Sequence, residues 1–427
     1  MKVALISSYD LEGGAGRAAF RLHEALRESG VDASLSVLYR SSSQPGVQGS
    51  SGLSARLKAR ARWRLDHAPA QLLGLPRGEF SVNAWGGELA ARLRALAPDV
   101  VHLHWLNAGF VSVAEIAALR LPVVWTAHDM WPFTGGCHYD QGCGRFETQG
   151  CGACPLQQRL QAWPLPSQRL TAKVAASAAA HLHFIGPSHW MASVAQRSPV
   201  ARQRPVQVIP NAIDSRRFKP LDRQAARALF GLPAEQPLVL FGAVNAQADA
   251  RKGFAHLQGA LQRLQAQGAT CGAALCVFGG PSRGTGTLHG LPVHEMGHLH
   301  DEESLVAMYS AADVFVAPSL QDNLPNTVLE ANACNLPSVA FDIGGMSDLI
   351  EHRVSGWLAP AGNTDALADG LAHALQHPHW RQAAGRAARA AVLARFDYPV
   401  VAAAHGALYR RLLSRSQVPA AAPGLAS

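Results

Sequence analysis

Short, nearly all-apolar runs recur along this chain, separated by longer stretches with helical spacing. VALISSY (3–9), DVVHLHW (99–105), PVVWTAHD (122–129), HFIGPS (183–188) and VQVIPNAID (206–214) read as strands of the first half. LVLFGAV (238–244), AALCVFGG (273–280), DVFVAPS (313–319) and SVAFD (338–342) repeat the scheme in the second. Runs this apolar fit parallel strands covered on both faces, since a one-sided sheet would alternate polar with apolar. Between them, Arg17 to Ser29 places Ala18, Leu22, Ala25 and Leu26 on one helical face. Strands alternating with helices predict an α/β protein with two doubly wound sheets. A chain of 427 residues is too long for one core, so two domains are expected. The linker falls after Asn211-Ala212-Ile213-Asp214, giving domains at 1–212 and 213–397. A further helix follows at 398–415, then a Pro/Ala-rich tail at 416–427 expected to be disordered.

The chemistry concentrates where one of these strands turns into a helix. From Asp313 to Gly345 the chain runs through a buried strand, a polar loop, a helix start, a second buried strand and a diglycine turn. Asp322 precedes the loop Asn323-Leu324-Pro325-Asn326, and Glu330 follows on the helix. Ligands of open α/β sheets bind off the carboxyl ends of the strands, where helix N-termini present backbone N–H groups to anions. Two carboxylates therefore flank an expected diphosphate cradle. Glu12-Gly13-Gly14-Ala15-Gly16-Arg17, between the first strand and first helix, is a glycine turn suited to close phosphate approach. His128-Asp129 ends a strand. Of the two histidines in VHLHW, His104 reads as a cleft residue and His102 as structural. Lys252-Gly253 follows the first strand of the second half, and Gly279-Gly280 and Gly344-Gly345 close two others.

Charge changes the picture in one place. The net charge of +8 lies wholly in residues 1–213, which hold 21 Lys/Arg against 13 Asp/Glu; the remainder holds 17 of each. The densest point is Arg56, Lys58, Arg60, Arg62 and Arg64, interleaved with Leu57, Trp63 and Leu65. Such a segment reads as an anionic-membrane contact, with a plainly solvated helix as the alternative. No nucleic-acid motif accompanies it, so nucleic-acid binding is not expected. The N-terminus MKVALISSYDLEGG reads as a strand, not a signal peptide, and no run reaches transmembrane length. A cytoplasmic protein, peripheral on the inner face of the membrane, is expected.

Cys137, Cys143, Cys151 and Cys154 crowd into an insert at 134–156 spaced C-x5-C-x7-C-x2-C. Four thiols with one C-x-x-C suit a structural tetrahedral zinc; free thiols, a redox pair or disulfides are the alternatives. Cys271, Cys276 and Cys334 read as buried apolar residues. His294-Glu295-Met296-Gly297-His298 matches the H-E-x-x-H zinc-protease pattern, but Pro292 and Gly297 argue against the helix that pattern needs.

An acid, seven residues, a Glu and then Ala-Cys-x-x-Pro (Asp322 to Pro337) resembles the signature of retaining glycosyltransferases of family 4. The Cys-rich insert after the His-Asp strand resembles that of bacterial colanic-acid and exopolysaccharide enzymes within it. The resemblance implies the GT-B fold: two Rossmann-like domains facing across a cleft, with the C-terminal helix crossing back to the first. It implies transfer of a sugar from a UDP- or GDP-sugar to a lipid-linked oligosaccharide, with retention and no required metal. It assigns catalysis to His128, Asp322 and Lys252. It assigns the donor to Gly14, Gly16, Arg251, Lys252, Asn323, Leu324 and Glu330, with Glu330 on the ribose hydroxyls. The family usually has Glu where this chain has Asp322, and an Arg where it has Gln247, leaving Arg251 as the replacement cation. A catalytically silent sugar-nucleotide binder or a sugar-nucleotide epimerase are the alternatives within the same fold.

Overall fold

The computed structural model describes residues 1–76, 78–242, 249–280, 283–299 and 301–416. Gln247, the end of the strand expected at 238–244 and all of the tail after 416 lie outside them. The chain divides into two compact units. Unit 1 comprises residues 1–186, 192–209 and those from Val401 onward; unit 2 comprises 187–191 and 210–400.

Unit 1 holds a seven-stranded sheet: β1 (Lys2–Tyr9), β2 (Asp32–Tyr39), β3 (Val47–Ser50), β4 (Val100–Leu103), β5 (Val123–Thr126), β6 (Leu182–Gly186) and β7 (Val206–Val208). Their order is β3-β2-β1-β4-β5-β6-β7, with every neighbouring pair parallel. The chain builds outward from β1 in one direction, then returns to build from β4 in the other. Unit 2 holds β8 (Leu238–Gly242), β9 (Ala274–Phe278), β10 (Arg283–Leu288), β11 (Leu291–Gly297), β12 (Val314–Ala317), β13 (Ser338–Phe341) and β14 (Gly356–Ala359). Their order is β10-β11-β9-β8-β12-β13-β14, parallel except for the β10–β11 hairpin. The order reverses beside β1 in one sheet and beside β8 in the other. In open α/β sheets that reversal leaves a crevice at the strands' carboxyl ends.

The apolar runs are explained by burial on two sides. Leu238 and Leu240 of β8 join one core with Phe315 of β12 and the helices Glu302–Ala311 and Asn326–Ala333. Val239 and Phe241 face the opposite core with Val314 and Val316, under the helices Phe254–Ala266 and Thr364–Gln376. Alternate residues of a strand point to opposite faces, so a strand covered on both must be apolar throughout.

One of three features departs from the sequence reading, the added strands; the other two agree with it. The H-E-x-x-H segment forms β11, antiparallel to β10 and parallel to β9, so its two histidines share no helix face. Strands β2, β3, β10 and β14 add to those expected. The last helix spans Tyr398–Ser416, and from Val401 it belongs to unit 1, where Tyr409 is wholly buried.

Candidate functional site

In unit 2 the expected residues gather at the carboxyl ends of β8 and β12, beside the reversal. After the described end of β8, a 3-10 turn at Ala250–Lys252 ends at Gly253. Gly253 has φ +70°, and a Cβ there would stand 1.8 Å from the Pro318 carbonyl oxygen. Only glycine lets this turn lie so close to the strand end. The Leu320 N–H donates to the Arg251 carbonyl at 2.7 Å, tying the turn to the loop after β12. Across that contact the Lys252 ammonium meets the Asp322 carboxylate at 2.6 Å, both largely shielded from solvent. Arg251 is held by Asp249, whose carboxylate takes both its guanidinium at 2.6 Å and its backbone N–H at 3.0 Å. The cation that the sequence nominates to replace an arginine therefore has an ion-pair partner of its own.

The loop carrying Asp322, Asn323 and Leu324 is buried and seated on the diglycine turn after β13. Gly344 has φ +53°, and a Cβ on it would lie 1.7 Å from the Asp322 carbonyl oxygen. A Cβ on Gly345 would lie 1.9 Å from the Asn323 carbonyl oxygen. The second diglycine thus has a defined purpose: it is the floor beneath the acidic loop. Ser188, on the short segment 187–191 that belongs to unit 2, donates its hydroxyl to Asn323 Oδ1 at 2.7 Å. Helix Asn326–Ala333 then starts at Pro325 with no side-chain cap. Its first turn points N–H groups toward the loop side. One turn further on, the Glu330 carboxylate is only 2% exposed and accepts the Tyr309 hydroxyl at 2.9 Å. Tyr309 and Ser188 were missed by the sequence reading. Tyr309 sits in the apolar face of helix Glu302–Ala311, where a tyrosine looks like core until its hydroxyl partner is known.

In unit 1 the loops after β1, β4 and β5 carry the second group of candidates. Gly14 and Gly16 lie in the first turn of helix Gly13–Glu28, directly after β1. His104 Nδ1 and His128 Nε2 share a hydrogen bond of 2.9 Å. His102 is held between the Tyr409 hydroxyl and Thr126 Oγ1, each at 2.7 Å, which is the structural role the sequence gave it. Asp129 accepts from Trp105 Nε1 at 3.0 Å and from the Trp131 backbone N–H at 2.9 Å, and pairs with His138 at 2.7 Å. His405, on the last helix, stacks near His102 with ring centres 5.5 Å apart. Burial pulls His128 and His405 down to about 4, and holds His102 and His104 well below the usual imidazole value. All four are neutral near pH 7. Asp129 goes the other way: burial would raise its carboxyl, but His138 and its hydrogen bonds outweigh that and hold it below the ordinary range.

The four thiols of the insert are close enough to perturb one another. Burial first, and neighbouring thiols second, push Cys137 up to about 12 and Cys151 up to about 11 and raise Cys154. Cys151 Sγ accepts the Gly135 N–H at 3.2 Å, while the buried Lys173 ammonium donates to the Trp131 and Thr134 carbonyls. All four are free thiols, and among the described residues no group of three or more His, Cys, Asp or Glu is arranged to hold a metal. Cys137 and Cys151 face the core while Cys143 and Cys154 are half-exposed, with the helical turn Arg145–Thr148 between Cys143 and Cys151. No step below depends on a metal at these thiols.

Two doubly wound sheets, each with its polar side chains at the carboxyl ends beside the reversal, define the GT-B class of α/β fold. Residues 12–217 match the family described as Glycosyltransferase Family 4, and residues 236–377 match Glycosyl transferases group 1. The chain belongs to the family 4 glycosyltransferases. It is similar to D-inositol 3-phosphate glycosyltransferase of Saccharomonospora viridis, 33% identical over 198 residues, covering 43% of this chain and 45% of that protein. It is similar to the amylovoran biosynthesis glycosyltransferase AmsK of Erwinia amylovora, 41% identical over 73 residues, covering 16% and 18%. Among solved structures it matches HepE of Anabaena in complex with UDP-glucose with a TM-score of 0.61, 16% identity, and 97% and 100% of the two chains covered. The matches span about half the length, or less, of the first of these curated relatives.

Two predictions follow from the geometry. Gly344→Ala forces a Cβ into the Asp322 carbonyl at a left-handed backbone position, a strain of about 1–3 kcal/mol plus the clash. The thermal transition of the variant is expected to fall by several degrees, read by differential scanning calorimetry against wild type. The second concerns pH. His128 and His405 take up protons in the unfolded state near 6.5 but in the folded state only near 4. Their contribution to stability is whole above about 6.5 and is lost as pH falls toward 4. Melting temperature measured from pH 7.5 to 4.5 should drop through that window, and His405→Gln should flatten the drop.

Proposed function

We propose that this protein transfers a sugar from a nucleoside-diphosphate donor to a glycan acceptor with retention of anomeric configuration, in the assembly of a bacterial cell-surface polysaccharide. The observation that carries the reading is the Lys252–Asp322 pair, with Glu330 one helix turn beyond it, at the carboxyl ends of β8 and β12. Departure of a nucleoside diphosphate builds negative charge on the leaving oxygen. Lys252 meets that charge as a point cation and the first-turn N–H groups of helix Asn326–Ala333 meet it as dipoles, the kind of fixed stabilisation that lowers such barriers most. In this reading Asp322 exchanges Lys252 for a hydroxyl of the transferred sugar when phosphate arrives. Glu330 takes the ribose hydroxyls, with Tyr309 fixing the carboxylate's orientation. Asn323 and Leu324 lie against the donor. His128, neutral near pH 7, polarises a sugar hydroxyl without adding positive charge. Phosphate charge is met by protein groups, so turnover in EDTA is expected.

Support for the polysaccharide role comes from the AmsK similarity and from the insert described above. The acceptor is a lipid-linked oligosaccharide and the enzyme works at the inner face of the membrane. A second acceptor, an inositol phosphate, is favoured by the name of the 33%-identical relative. HepE, which shares the fold, is solved with UDP-glucose, so that donor heads the panel.

The test is nucleoside-diphosphate release from UDP-, GDP-, ADP- and dTDP-sugars, in EDTA, with lipid-linked acceptor extract, with D-inositol 3-phosphate, or with neither. Release from one donor that requires the lipid extract is expected; release that requires the inositol phosphate instead would replace the polysaccharide acceptor. Affinity for a nucleoside diphosphate without release under any condition would mark a silent binder. Lys252→Ala should lower turnover about 10²–10³-fold with an unchanged circular dichroism spectrum. Arg251→Ala should cost less, because Asp249 already holds that guanidinium. Normal turnover in Lys252→Ala would remove the phosphate role.

A further inference from the structure

We infer that His138, carried by the Cys-rich insert, is a positioning residue for sugar transfer: it fixes the segment after β5 that presents His128. The inference deepens the reading above and rests on it, since there His128 is the group that meets the sugar. The His138 imidazole closes a ring of buried hydrogen bonds. Its Nδ1 pairs with Asp129 Oδ2 at 2.7 Å, and its Nε2 meets the Ser81 hydroxyl at 2.9 Å. Asp129 Oδ1 accepts the Trp131 backbone N–H at 2.9 Å, and Trp131 Nε1 donates to the Ser81 carbonyl at 2.8 Å. The main chain doubles the link. The Met130 N–H donates to the His138 carbonyl and the His138 N–H to the Glu79 carbonyl, each at 2.9 Å.

The direction of each bond follows from Asp129. Burial works against its ionisation, but His138 and the hydrogen bonds hold the carboxyl below the ordinary range, so it only accepts. His138 Nδ1 therefore carries the proton of that bond. Trp105 Nε1 donates to the same Asp129 oxygen at 3.0 Å, and the Trp105 ring stacks with Tyr9 and with His138, centres 5.9 and 5.7 Å away. One imidazole thus ties together the carboxyl ends of β1, β4 and β5. Lys173, on helix Leu165–Ala179, grips the far side of the ring through the Trp131 and Thr134 carbonyls. A buried polar network satisfied in this way is rigid, and His128 is the residue directly before Asp129.

The order Ser81–His138–Asp129 is also that of a nucleophilic triad. Two observations make it a strut instead. Ser81 is 1% exposed, and its backbone N–H is spent on the Gly136 carbonyl at 2.9 Å, where an oxyanion site needs it open. The arm that bears on transfer is the one to Asp129, because Asp129 adjoins His128. Two amides separate the arms. Asparagine sets its nitrogen close to the place of Nδ1, so it donates to Asp129 and loses Ser81. Glutamine sets its amide close to the place of Nε2, so it meets Ser81 and leaves Asp129 without that donor.

The test uses the full chain and the sugar donor from which wild type releases nucleoside diphosphate. His138→Gln is expected to lower kcat about 10–100-fold with both KM values within about twofold, and His138→Asn to recover most of that loss. A space-filling role predicts the opposite order, since glutamine is nearer histidine in size. Circular dichroism on each variant separates loss of fold from loss of position. Proton–nitrogen correlation spectra of protein labelled at histidine read the ring itself. The His128 signals, identified by their loss in His128→Gln, should move in His138→Gln and return in His138→Asn. Should His138→Gln not fold, Asp129→Asn opens the same link from the other side, with one acceptor oxygen in place of two, and its kcat should fall as far. Equal kcat in the two His138 variants, a loss confined to KM, or unmoved His128 signals would each overturn the proposal. Wild type that releases nucleoside diphosphate from no donor would sink the transfer reading instead, and the His128 signals would then decide the positioning alone.

Discussion

The Lys252 ammonium and the Asp322 carboxylate sit 2.6 Å apart, and the loops of unit 2 are built so that they can. Neither group reaches that position by side-chain length alone. The Lys252 turn is pressed against Pro318 by a glycine with no Cβ, and the Asp322 loop rests on two more glycines. A single backbone hydrogen bond, Leu320 N–H to Arg251 carbonyl, joins the two loops. These contacts sit where the strand order reverses, so the sheet topology and the ion pair express one constraint. A largely shielded cation held by one carboxylate can be exchanged to an incoming phosphate with little reorganisation, because its position is already fixed by backbone.

Unit 1 follows a different electrostatic logic. Beside the Asp129–His138 pair, its strand ends carry imidazoles packed ring to ring and kept neutral by burial. Neutral imidazoles can both donate and accept, so hydrogen bonds link His104 to His128 and His102 to Tyr409 without burying net charge. The last helix supplies Tyr409 and His405 to this cluster, which gives the chain's return to unit 1 a packing reason beyond simple coverage of a sheet.

The buried parallel strands were legible because burial on both faces leaves an unbroken apolar run that few other structures produce. Two of the edge strands were not: β3 (VQGS) and β10 (RGTGTL) are polar and glycine-rich, as an edge facing water on one side allows. Asp322, Lys252 and His128 were nominated near strand ends and Glu330 on the helix after Asp322, with the family resemblance supplying their expected roles. The partners were not, since Tyr309, Ser188 and Tyr409 lie 21, 135 and 307 residues from the groups they contact. Nothing local in LVAMYS says that its tyrosine orients a carboxylate. For the cysteines the spacing is a local signal, while the packing of Cys137 and Cys154 beside Phe80 and Leu165 is not.

The departure at Asp322 has a structural answer of the same kind. An acid one methylene shorter than glutamate would fall short of a lysine on a distant turn. Here the turn is brought to it: Gly253 allows the approach to Pro318, and the Leu320–Arg251 hydrogen bond locks it. The shorter side chain also has fewer rotamers to lose, so the pair is held at smaller entropic cost than a Glu–Lys pair would be. Substituting glutamate without moving the turn would push the carboxylate past the ammonium or force an off-rotamer fold of the extra methylene. The aspartate and the close turn therefore act together to set the 2.6 Å pair.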